Sequence, residues 1–177
     1  MNLWQDKLSF SQSKIDLDMR LIKNYFPRCV NVKKTDIETD KQGIDYIATL
    51  DDGAKIFIDA KTREKGAKRF WKHGVPEIAL EIYSNTEEKK LGWTLSGSTK
   101  AHYILYTFDA AGSDKFYIFP FQILRKVFFE NGKCWIEKYG KKLQESDSWH
   151  SQAVFVPDCV VLKAINKSMK CRRINHE

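Results

Sequence analysis

The sequence predicts a mixed α/β chain, of either the α/β or the α+β class. Three observations point there. Ile15, Met19, Ile22 and Phe26 recur at helical spacing ahead of Pro27, and apolar residues alternate on both sides of Asp52-Gly53. Further helix-like and strand-like stretches are interspersed rather than segregated.

Taken in order, Ser11 to Phe26 reads as a helix that Pro27 ends. Residues 43–61 read as two strands around a turn, and Gly66 to Gly74 as a basic connection. Pro76 to Tyr83 and Ala101 to Phe108 read as strands, and Phe116 to Phe121 as a short strand ending near Pro120. Ile123 to Phe129 reads as helix, Lys133 to Tyr139 and Ala153 to Leu162 as extended. The last dozen residues, rich in Lys and Arg, read as a frayed tail. The expected organisation is one domain over residues 1–165 followed by a basic tail over 166–177.

A chain of 177 residues is long enough for one domain with its own core. With 42% hydrophobic and 30% charged residues it is neither disordered, collagenous nor a coiled coil. No apolar run approaches the roughly 18 residues a membrane-spanning helix needs, so no membrane partner is expected. The opening MNLWQDKLSF lacks the apolar stretch of a secretory signal. Cys29, Cys134, Cys159 and Cys171 form no C-x-x-C pair, which fits free thiols in a reducing cytoplasm. His73, His102, His150 and His176 are equally scattered, and no zinc framework emerges. The net charge of +7 is uneven: −1 over residues 1–60, +5 over 61–140 and +3 over 141–177. Acids gather upstream and bases downstream, a balance that favours a polyanionic partner.

The most informative stretch runs from Gly43 through Asp51-Asp52-Gly53 to Lys61. A two-residue loop at Asp52-Gly53 would pair Asp45 with Ala60 and turn Asp59 to the other face. A three-residue loop puts Gly53 at a left-handed position and Asp45 directly opposite Asp59. The second register is preferred, because Ile44, Tyr46, Ala48 and Leu50 then share an apolar face with Ala54, Ile56, Ile58 and Ala60. Asp45, Asp59 and Lys61 occupy the other face, beside Ile47 and Phe57. Opposed residues have Cβ atoms only about 5 Å apart, so two carboxylates there repel unless a cation joins them. Oxygen ligands select a hard ion, magnesium, with manganese able to substitute. Lys61 would hold the attacking water and offset phosphate charge.

Gly43-Ile44-Asp45, thirteen residues, then Asp59-Ala60-Lys61 on the second strand of a hairpin resembles the PD-(D/E)XK nuclease superfamily. Ile44 stands where the family name carries proline. The resemblance covers residues about 10–110 and implies a restriction-endonuclease-like core, a mixed central β-sheet flanked by helices, with the Ser11–Phe26 helix ahead of the hairpin. The stretch with Gly92-Trp93 and Tyr103 to Phe108 is also similar to small uncharacterised bacteriophage proteins, which implies the bacterial host cytoplasm. The implied activity is phosphodiester hydrolysis in DNA by a metal-activated water, with RNA left open and a homodimer compatible. Asp45, Asp59 and Glu81 would bind Mg²⁺, with Lys61 assisting the water; Asp18, on the helix, would add a further ligand.

Glu81 sits mid-strand among Ile78, Leu80 and Ile82, where a carboxylate is costly unless paired or metal-bound. Asp18 borders the apolar stripe of the first helix, and Asp16 lies on its other flank. Arg63, Lys65, Lys68, Arg69 and Lys72 follow the motif, interleaved with Phe70, Trp71 and His73, a pattern suited to phosphate contacts and base stacking. Lys100, after Ser96, Ser98 and Thr99, is a further phosphate contact. The rival readings are a non-catalytic nucleic-acid-binding module on the same fold and a phage accessory protein that binds a host protein.

Overall fold

The computed structural model describes residues 3–63, 75–108, 115–145 and 149–174. Its elements are α1 (Leu3–Tyr25), β1 (Cys29–Lys34), α2 (Ile37–Asp40), β2 (Tyr46–Leu50), β3 (Lys55–Arg63), β4 (Glu77–Asn85) and β5 (Lys90–Leu91). These are followed by β6 (Tyr103–Phe108), β7 (Phe116–Pro120), α3 (Phe121–Tyr139), β8 (Lys141–Glu145), β9 (His150–Pro157) and α4 (Asp158–Ile174). The described residues form a mixed α/β fold, as expected, with four helices where the sequence suggested two. The chain packs as two compact units, the first formed by residues 1–63, 100–109 and 113–119, the second by 64–99, 110–112 and 120–177. No helix of the described residues is long and apolar enough to cross a membrane.

The first unit is built on a five-stranded mixed sheet ordered β1-β2-β3-β6-β7. Strands β1, β2 and β3 are antiparallel, and β6 joins β3 in parallel. Helix α1 lays Ile15, Met19 and Ile22 on the face made by Val32, Tyr46, Ala48, Ile58 and Leu105. Pro27 ends it, because a ring nitrogen cannot continue the helical hydrogen bonds. The β2–β3 register is Tyr46↔Ile58 through Thr49↔Lys55. It is continued by Leu50 N–H on the Ala54 carbonyl at 2.9 Å and Gly53 N–H on the Leu50 carbonyl at 2.9 Å. This is the three-residue loop, with Gly53 at φ +83°. The core holds because the loop puts Tyr46, Ala48 and Leu50 of β2 and Ile56, Ile58 and Ala60 of β3 on the side facing α1.

The second unit carries a four-stranded antiparallel sheet, β5-β4-β9-β8. Ile78, Leu80, Val154 and Val156 are fully buried within it. Three expectations fail here. Residues 133–139 are not extended: α3 continues to Tyr139, because Phe121, Leu124, Val127, Phe128 and Trp135 keep helical spacing and are all buried. Ala153 to Pro157 is strand, but from Asp158 the chain turns into α4, where Val161, Ile165 and Ser168 form the buried stripe. A short apolar run such as Val160-Val161-Leu162 fits either period, and burial at i, i+4 and i+7 decides for helix. Residues 166–174 continue α4 rather than fraying.

Elements β1, α2, β5 and β8 were not expected, since none has a strong apolar period. In β1 only Cys29 and Val32 are buried. Cys29, Cys134 and Cys159 are free thiols.

A Cβ added at Gly53 would meet nothing within 4 Å, so only backbone strain opposes substitution there. Gly53→Ala should lower stability by about 1 kcal/mol. Gly53→Asn should cost less, since Asn tolerates the left-handed region. The midpoints of urea unfolding compare them directly.

Candidate active site

The hairpin register carries the site. The β2–β3 pairing runs to Tyr46↔Ile58, and Asp45, the residue before it, lies at the end of the ladder with its carboxyl beside that of Asp59. Asp45 N–H donates to the Ile58 carbonyl at 2.9 Å, and Ala60 N–H donates to Asp45 Oδ2 at 2.7 Å. The Asp45 side chain thus closes the end of the ladder. Strand alternation places Phe57, Asp59, Lys61 and Arg63 on one face of β3. Lys61 Nζ donates to Asp59 Oδ1 at 2.7 Å, and Asp59 is only 2% exposed. The sheet around it supplies that burial, because β3 is flanked by β2 and β6, with Ile104 beside Asp59 and Tyr106 beside Lys61.

A third carboxyl joins the row. Gly43, at φ +72°, turns the chain between α2 and β2, with its N–H on the Asp40 carbonyl at 2.7 Å. That turn brings the Asp40 carboxyl within hydrogen-bonding reach of Asp45. Thr35 fastens the same turn through its hydroxyl to the Ile44 and Asp45 carbonyls. The order is therefore Asp40, Asp45, Asp59, Lys61: three acids and one base.

Burial raises the Asp45 carboxyl above the ordinary carboxylate range, and the Asp59 charge pushes the same way. The Ala60 N–H and the Asp40 carboxyl oppose this by bonding its charged form. Asp40 is raised too, first by its hydrogen bond to Asp45 and then by burial, with Lys61 and Lys34 pulling it back. The two carboxyls share a hydrogen bond and titrate as a coupled pair.

Asp59 Oδ2 is buried, and no hydrogen-bond donor of the described residues reaches it. The Asp59 carboxyl lies beside that of Asp45. Two facing carboxyls need a proton or a cation between them. Among the described residues, no group of three or more His, Cys, Asp or Glu side chains has a metal-holding arrangement. The candidate donors are the Asp45 and Asp59 carboxylates. That fits Mg²⁺ or Mn²⁺, which take one or two protein carboxylates and fill the other positions with water and phosphate oxygens.

The other expected residues fall in different places. Asp18 is 1% exposed on α1, where its Oδ2 accepts from Tyr46 at 3.0 Å and Lys14 at 2.6 Å. Tyr46 points to the α1 side of β2, the face opposite Asp45. Asp16 is exposed and accepts from Gln12. Glu81 belongs to β4 of the second unit and accepts the Trp93 N–H at 3.1 Å. Arg63 is half-buried at the end of β3, on the face of Asp59. Lys100 is exposed and donates to Gln42 Oε1 at 2.8 Å, on the loop that leads to Asp45. Lys65, Lys68, Arg69 and Lys72 lie outside the described residues.

Sequence reading missed Asp40, Lys33, Lys55 and His102. Lys33 pairs with Ile47 and Lys55 with Thr49, so both stand exposed on the Asp45 face. His102 Nδ1 takes the Phe57 N–H at 3.3 Å, and the two rings lie 4.9 Å apart. The signal for Asp40 was Gly43, whose turn folds an acid five residues upstream back onto Asp45.

Compared with family models, with curated proteins and with solved structures, the chain matches none. The site therefore rests on its own geometry.

Folding without metal traps protons on Asp40 and Asp45 that the unfolded chain binds less tightly. Their contribution to stability is fully present at low pH and is lost as pH rises through the raised folded values. In EDTA, Asp45→Asn should flatten the alkaline fall of the wild type and raise the thermal midpoint at pH 8. The rise should be roughly 2–4 °C for each kcal/mol of relieved repulsion. Fluorimetric melts from pH 5 to pH 8 test it, and an Asn variant less stable than wild type at pH 8 would contradict it.

Proposed function

We propose that the chain is a divalent-metal-dependent nuclease of the PD-(D/E)XK kind, hydrolysing phosphodiester bonds in DNA. The observation that supports this best is the Asp45 carboxyl beside that of Asp59, with Lys61 on the Asp59 carboxylate. A structural ion pair needs one acid; this site holds two facing acids and leaves one buried oxygen without a donor. A helix ahead of an antiparallel hairpin in a mixed sheet supports the restriction-endonuclease-like reading of the first unit.

Asp45 and Asp59 would hold Mg²⁺ or Mn²⁺. When bound, the ion supplies a positive charge against the phosphoryl oxygen and acidifies its water. Lys61 Nζ, one hydrogen bond from Asp59, is placed to orient a water and to offset charge that develops on phosphate. Asp40, hydrogen-bonded to Asp45 and raised with it, would titrate together with the metal-binding carboxyls. Lys33, Lys55 and Lys100 would contact the phosphate backbone as point charges. The Phe57–His102 pair offers an aromatic surface on which an unpaired base can stack. The free thiols fit work in a reducing cytoplasm.

The test is cleavage of plasmid and single-stranded DNA with Mg²⁺, Mn²⁺ or EDTA. Wild type should cut only with metal. Asp59→Asn and Lys61→Met, checked for fold by circular dichroism, should each lose at least about 100-fold, the scale of removing one electrostatic stabiliser. Wild type that cuts no DNA, or cutting that survives both substitutions, would overturn the proposal. Binding without cutting would favour a non-catalytic nucleic-acid module, and cutting of RNA alone would move the substrate.

A further inference from the structure

The sheet of the first unit has two unlike faces. One packs on α1. On the other, β3 carries Lys55, Phe57 and Asp59, alternate residues about 7 Å apart. The β2 partners of Lys55 and Phe57 are Thr49 and Ile47, whose β1 partners are Asn31 and Lys33. Two rows therefore cross three strands beside the acids: Lys33, Ile47 and Phe57, then Asn31, Thr49 and Lys55. Neighbouring strands lie about 5 Å apart, so each row is about 10 Å long. Asn31, Lys33 and Lys55 are exposed; Ile47, Thr49 and Phe57 are half-buried. Neither row holds an acid. Asp51 and Asp52, at the tip of the hairpin, are held by Arg28 at 2.6 and 2.9 Å. The rows thus form a basic, partly apolar surface that starts one side-chain step from Asp59.

A second observation concerns His102. It is exposed, yet its ring is fixed. Its N–H donates to the Phe57 carbonyl at 2.8 Å, and its Nδ1 accepts the Phe57 N–H at 3.3 Å. The two ring centroids are 4.9 Å apart, with the planes inclined at 33°. The Phe57 N–H is satisfied by a ring, and that ring is set in place before any ligand arrives. Rings held in this way lose little conformational freedom on binding. Every base has a π-face, and aromatic side chains stack on it without reading sequence. In a duplex those faces are covered by the neighbouring base pairs, so an aromatic shelf serves an unpaired strand.

We infer that this face binds single-stranded DNA, with a base on the Phe57–His102 pair and the backbone over Lys33 and Lys55. The inference rests on the nuclease reading and names its substrate as a strand that reaches Asp59 unpaired. The lysines neutralise phosphates, and Phe57 supplies the preference for single strand over duplex.

The test is fluorescence anisotropy of labelled oligo-deoxythymidine, and of a duplex of equal length, with the full-length chain in EDTA. The single strand should bind at least tenfold tighter than the duplex. Phe57→Leu keeps an apolar side chain but removes the ring, and should weaken single-strand binding at least fivefold, the scale of one stacked base. Phe57→Tyr keeps the ring and should bind like wild type, which separates stacking from folding. Lys33→Ala with Lys55→Ala, both at exposed positions, should make the salt dependence shallower by about 1.4, two phosphate contacts at about 0.7 each. Equal affinity for strand and duplex, no binding of either, or a Phe57→Leu chain that binds like wild type overturns the inference. Adding Mg²⁺ separates it from the nuclease reading. Phe57-dependent strand binding without cleavage sustains this face and overturns the nuclease, whereas cleavage of duplex alone sustains the nuclease and overturns this inference.

Discussion

Two carboxylates facing each other across an antiparallel strand pair are the constraint around which the first unit is arranged. Like charges directly opposed destabilise a strand pair, and burial makes the repulsion worse. Asp45 and Asp59 are held together by three features. The register follows from the loop, the ladder continues through the Ala60 N–H onto Asp45 Oδ2, and Lys61 supplies one compensating charge. The remaining imbalance shows as the raised carboxyls of Asp40 and Asp45 and as an unbonded oxygen on Asp59. Each of these is a place where a bound cation would be stabilising. Such local conflict is expected at functional sites rather than in cores optimised for stability.

The loop and the core share one cause. Adding one residue to the turn flips every side chain of β3 relative to β2. In the observed register the apolar face meets α1 and the acids meet each other. In the alternative register Ile58 would leave the core and Asp59 would enter it. Hydrophobic burial of Ile22, Tyr46, Ala48 and Ile58 therefore enforces the electrostatic conflict on the opposite face. Tyr46 also binds Asp18 across the helix–strand contact, tying α1 to the strand that follows Asp45.

What the sequence made legible follows the strength of its local patterns. The α1 stripe, the hairpin and its register, β4, β6 and β7 all have a clear period or a clear turn. The short edge strand β1 was illegible, since Val30 is exposed and only two of its residues are buried. The C-terminal half was misread at Trp135 and at Val160–Leu162, where a few apolar residues fit either strand or helix and packing settles the matter. At the site, Asp45, Asp59 and Lys61 could be placed because one hairpin carries all three. Asp40 could not, because its approach depends on a tertiary turn at Gly43. Glu81 and Asp18 looked alike in sequence, as carboxylates among apolar residues. Each has local donors in the structure: the Trp93 N–H for one, Tyr46 and Lys14 for the other.

The central claim is that the Asp45–Asp59 pair is a cation site. Its most direct test is titration of Mn²⁺ into the metal-free protein at pH 7.5, followed by electron paramagnetic resonance. The account predicts one bound ion per chain that Mg²⁺ displaces, weakened at least tenfold in Asp45→Asn and releasing protons as it binds. A wild-type chain that leaves Mn²⁺ free, or binding that Asp45→Asn does not change, would contradict it.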